Sequence, residues 1–117
     1  MVSDEQIREL VERLATLGRC LNIEQRRIDL SNEEEKTQEP NFWDDPERAQ
    51  EQLRRVSSIK SWIVDFDALA SVIGDVELVP DFLREGVMSE AEADALYADA
   101  LEKTESLELR NMLQGEE

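Results

Sequence analysis

The chain has 117 residues, of which 40% are apolar and 36% charged, and it carries a formal net charge of −16. That length supports one modest core and not two, and few Gly and Pro beside abundant Glu, Leu, Ala, Arg and Gln favour helices over sheet. So acidic a surface repels nucleic-acid phosphate and anionic lipid, which leaves a basic protein partner or, more plainly, a solvated face that keeps a small bundle soluble.

The charge is uneven: residues 1–40 hold ten acids and six bases, 41–74 six and four, and 75–117 thirteen and three. Histidine is absent and Cys20 is the single cysteine, so an internal disulfide and a Cys/His zinc site are excluded, and the commonest general base is missing. No cofactor is expected. No apolar run approaches the ~20 residues of a membrane span, and residues 1–8 lack the order of a signal peptide. The chain reads as cytoplasmic, without a membrane partner.

In chain order, Ser3 with Gln6 forms a capping box, and Ile7, Leu10, Leu14, Leu17 and Leu21 follow at spacings of three and four. This narrow seam suits a near-antiparallel neighbour. It weakens at Glu24, recovers at Ile28 and is polar from Ser31 to Glu35, so one helix over about residues 3–36 is expected to end exposed or frayed. Gly18 inside it costs about 1 kcal/mol against Ala, which a closely approaching backbone would justify.

Pro40 breaks the pattern. Asp45 is placed as an N-cap, Pro46 suits the first helical position, and Glu47 favours the positive end of the dipole. A helix over 46–74 then carries two adjacent stripes: Ala49, Leu53, Val56, Ile63, Phe66, Ala70 and Ile73, and Ile59, Trp62, Phe66, Leu69 and Ile73. So wide an apolar face makes this the central helix. Gly74 and Asp75 suggest its end or a kink. Pro80 opens a short helix near 80–85 that Gly86 terminates as a left-handed residue. Ser89 with Glu92 is a second capping box, opening a helix over 90–114 that Gly115 ends. The fold class is all-α: an antiparallel bundle of three main helices with a short extra one, and residues 1–117 form a single domain.

No carboxylate pair has the spacing of a buried acid–base couple. Asp44, Asp45 and Glu47 lack the alternation, central Gly and closing Glu of a calcium loop, and capping accounts for Asp45. Phe42 and Trp43, just ahead of a helix start, are expected to fold back onto its first turn toward Ala49 or Gln50, in which case Trp43→Ala costs about 2 to 4 kcal/mol. The alternative is an exposed partner anchor. Trp62 is either core or a half-exposed docking surface. The candidate partner surface is Trp43, Trp62, Glu92, Asp99, Glu102 and Glu105.

The run from Glu39 to Gln50, Glu-Pro-Asn-Phe-Trp-Asp-Asp-Pro-Glu-Arg-Ala-Gln, resembles the opening of bacterial peptide chain release factor 2. The stretch from Leu53 to Ile63, with Val56-Ser57-Ser58-Ile59-Lys60, also looks like that family, as does Leu107 to Glu116, which is similar to the segment leading into its central domain. The Phe-Trp-Asp-Asp-Pro-Glu run favours release factor 2 over release factor 1. The resemblance implies termination at UAA and UGA codons on the ribosome. The family reads the codon with Ser-Pro-Phe and promotes peptidyl-tRNA hydrolysis with Gly-Gly-Gln, and neither tripeptide occurs here. What it implies for these residues is therefore a helical first domain, not an enzyme. It would face ribosomal protein L11 and the GTPase release factor 3, with mRNA and peptidyl-tRNA contacts in absent domains, and the isolated piece could pair as a homodimer. The rival expectation is a free-standing acidic helical interaction module.

Overall fold

The computed structural model describes residues 1–114, and the expected stop at Gly115 lies outside them. The described residues form α1 (Asp4–Cys20), α2 (Ile23–Lys36), a 3₁₀ turn (Phe42–Asp44), α3 (Pro46–Glu77), α4 (Val79–Arg84) and α5 (Glu90–Gln114), and no strand. The all-α class agrees with the sequence reading, as do the long helices opening at Pro46 and Glu90 and the short helix between them.

Local chemistry explains the helix starts. The Ser3 hydroxyl accepts the Gln6 N–H at 3.1 Å while Gln6 Oε1 accepts the Ser3 N–H at 2.8 Å. Ser89 and Glu92 repeat this reciprocal box at 3.1 and 2.9 Å. Asp45 accepts the Arg48 N–H at 3.3 Å, and Pro46 follows it into α3. Each cap gives an otherwise orphaned donor a partner.

The single helix expected over 3–36 is broken. Asn22 adopts a left-handed conformation, φ 55° and ψ 49°, between α1 and α2. Its flanking residues Leu21 and Ile23 are both buried. Residues two apart on a continuous helix point to nearly opposite sides, so the reversal at Asn22 is what turns both inward. The Leu21 carbonyl freed by the break accepts Arg26 Nε–H at 2.6 Å. After the break the inward face of α2 reads Ile23, Arg26, Leu30, Glu33, Thr37, which is partly polar.

The central helix runs past the expected end at Gly74 to Glu77, 32 residues or about 48 Å at 1.5 Å per residue. A Cβ at Gly74 would meet open space, so no packing demands a break there. Gly18 faces the Phe66 ring, 3.2 Å from where its Cβ would stand, so it accommodates a side chain and not a neighbouring backbone. Around α4, Gly86 takes φ 74°, donates to Leu83 at 3.2 Å, and Val87 donates to Phe82 at 3.0 Å, a Schellman stop.

Ion pairs set the directions. The N-terminus meets Asp94 and Arg13 meets Glu108, so α1 and α5 run parallel. Arg27 meets Asp67 and Glu33 meets Arg55, so α3 runs antiparallel to α2, and Arg110 of α5 reaches Asp65 of α3. The core gathers Leu10, Leu17, Leu21, Ile23, Trp62, Leu69, Ile73, Val76, Ala100 and Leu107. It ends near Trp62. Beyond it, α2 and the first half of α3 continue as a two-helix arm in which Ala49 is the one fully buried residue of that half. The molecule is therefore long, 59 × 28 × 19 Å, with a radius of gyration of 18.5 Å against about 13 Å for a compact chain of this size.

Candidate docking surface at the arm tip

The arm tip is built from residues 37–48. Thr37 and Gln38 close α2 by donating to Glu34 and Glu35 at 3.0 Å, Phe42 donates to Glu39 at 3.0 Å, and Asp44 donates to Asn41 at 3.1 Å. These bonds set the 3₁₀ turn that presents the two aromatics. Phe42 packs edge-on against Trp43, with centroids 4.9 Å apart and rings at 85°. Phe42 also lines an open groove of about 610 Å³ between the end of α2 and the start of α3, with Pro40, Ala49, Arg48 and Gln52 among its walls.

Trp43 is 66% exposed. The expected staple onto Ala49 or Gln50 is thus not made, because Phe42 takes the inward position and the turn aims the next side chain away. The cost of 2 to 4 kcal/mol expected for Trp43→Ala falls with it. Trp62 goes the other way. At 6% exposure it is core, and it offers no open face to a partner. Arg110 stacks over its ring, 3.7 Å from the centroid, while donating to Asp65 at 2.6 Å and to Ser61 at 3.1 Å, and Arg26 lies 5.3 Å from the ring.

The acids singled out on α5 have separate local duties. Glu92 closes the capping box, and the Ser89 backbone N–H, then its hydroxyl, hold its carboxyl below the usual range. Asp99 pairs with Lys103 at 2.6 Å. Glu102 and Glu105 are exposed on α5 and form no ion pair among the described residues. Asp45, beside Trp43, is about 24 Å along α3 from Ser61, where α5 docks. The six residues therefore do not converge on one surface.

Sequence reasoning missed the Glu33 cluster below the tip. Gln52 Nε2 donates to Glu33 at 2.9 Å, and Lys36 and Arg55 reach the same carboxylate at 3.2 and 3.7 Å. Gln52, then Lys36, hold Glu33 below the usual carboxylate range. Its signal was the three-and-four spacing of Ile23, Arg26, Leu30 and Glu33, masked because two of the four are charged. Among the described residues no group of acids or cysteine is arranged to hold a metal ion, and no helix is long and apolar enough to cross a membrane.

No family model matches the chain. It is 32% identical to peptide chain release factor 2 of Thermomicrobium roseum over 114 residues, covering 94% of this chain and 29% of that protein. The chain is homologous to release factor 2. The release factor 2 of Tolumonas auensis is 32% identical over 95% of the chain and 31% of its own length, and that of Staphylococcus haemolyticus 30% identical over 93% and 30%. The chain thus spans less than a third of the release factors it matches, and the homology runs through the arm, its tip and α5 alike.

Proposed function

We propose that these residues form the amino-terminal helical domain of a release factor 2 that ends translation at UAA and UGA codons, and that they act as a docking module and not as the catalyst. The similarity over more than nine-tenths of the chain carries this reading. An elongated helical body with an exposed indole at its far end is suited to reaching a partner, whereas a reaction centre needs a closed pocket. The partners in this reading are ribosomal protein L11, near the stalk base, and the GTPase release factor 3, met in the cytoplasm, while codon reading and peptidyl-tRNA hydrolysis belong to other domains. Acid on α5, exposed at Glu102 and Glu105, favours basic ribosomal protein over ribosomal RNA.

The purified chain is expected to co-sediment with bacterial ribosomes and to release no peptide in a stop-codon-dependent termination assay. Peptide release by the chain alone would overturn the docking reading, and failure to co-sediment would overturn the ribosomal one.

A further inference from the structure

Apart from Asp45, which caps α3, and Glu47, in its first turn, folding accounts for neither of two features at the arm tip. Trp43 is 66% exposed although its turn is fixed by backbone hydrogen bonds and its ring by the edge of Phe42. Around it, residues 39–51 carry Glu39, Asp44, Asp45, Glu47 and Glu51 against Arg48 alone, and none of these six takes part in an ion pair among the described residues. The nearby cations Lys36 and Arg55 already face Glu33.

We propose that the arm tip receives a basic protein segment, with an arginine or lysine of the partner stacked on Trp43 and the flanking cations met by the acid rim. The proposal rests on the docking reading above and names its partner chemistry. An indole face attracts a cation through its quadrupole, and arginine stacks on it most often. The surrounding acids steer such a segment in and fix its register. Because Trp43 is already held, binding costs little ordering of the tip. The groove on the Phe42 side of the turn, which Trp43 does not line, has Pro40, Phe42 and Ala49 among its walls and can take the aliphatic stem of a second cationic side chain of the segment. A second copy of this chain would bring the same acids and a net charge of −16 to the contact, and nucleic acid would bring phosphates, so charge disfavours both.

The probe is a labelled hexa-arginine peptide titrated into the full chain at low and physiological salt, with each variant checked by thermal melting. Trp43→Ala is expected to weaken binding about fivefold with an unchanged melting temperature, and Glu12→Gln with Glu77→Gln, exposed acids outside both proposed surfaces, to change it less than twofold. Equal affinity of the parent and Trp43→Ala, or an equal loss in the Glu12 and Glu77 double variant, would show generic attraction to an acidic protein and overturn the proposal. A concentration-dependent dimer abolished by Trp43→Ala in sedimentation would overturn it in favour of a second copy. Ribosome co-sedimentation separates the two readings: if the parent still co-sediments while Trp43 proves irrelevant to the peptide, only the tip proposal fails.

Discussion

An indole that stands mostly in water loses little buried area when it is truncated, while one at the junction of three helices leaves a cavity. Trp43→Ala is accordingly expected to lower unfolding free energy by well under 1 kcal/mol, and Trp62→Ala by about 3 to 5 kcal/mol, measured by urea denaturation. The second change also strips Arg110 of its stacking surface. Three carboxyl groups respond to pH at this same scale. Gln52 and then Lys36 depress Glu33, Arg27 depresses Asp67, and Ser89 depresses Glu92. A carboxyl depressed in the fold adds stability that is complete above its unfolded pKa, about 4, and is lost as pH falls through the lower folded value. Acidification also relieves the self-repulsion of a −16 chain, so the informative comparison is between variants. Glu92→Gln, which cannot ionise, should lose less stability than the parent between about pH 4.5 and pH 3 in a circular-dichroism melt series.

At the scale of the element, the capped helix starts and the left-handed stop at Gly86 were legible, while the break at Asn22 and the passage of α3 through Gly74 were not. A start depends on a side chain three residues away, so Ser3 with Gln6, Ser89 with Glu92, and Asp45 with Pro46 could be read directly. An interior glycine is ambiguous because propensity costs only about 1 kcal/mol, which packing on α1 and α5 outweighs at Gly74. Gly74→Ala is therefore expected to raise stability by up to about 1 kcal/mol, since its Cβ would enter open space in a regular helix. Gly86→Ala should lower it by about 1 to 2 kcal/mol, because the Schellman stop needs φ 74°. Opposite shifts in melting temperature check the pair; a shift of the wrong sign in either variant would refute that assignment. The break at Asn22 had one trace in the sequence, Glu24 intruding on the apolar seam, and that trace suits fraying equally well.

On the scale of the molecule, a three-helix body grades into a two-helix arm, and stability should grade with it. Few residues of the arm are fully buried, and much of its backbone lies near water. Amides of residues 26–58 are expected to exchange with deuterium faster than those of α1 and of residues 62–76, because local opening of the arm breaks few apolar contacts. Uniform protection along α3 would show instead that the arm and body unfold as one unit. The sequence by itself determined the helical class, the capped starts, the central role of α3 and the acidic balance, because these depend on composition and on residues within a turn of one another. Only the tertiary structure decided that Trp62 is core and Trp43 is open, that Asn22 reverses the chain, and that α2 and α3 project as an arm. Those outcomes depend on which surfaces meet across the fold: periodicity marks an apolar face but does not say whether α5 extends far enough to cover it.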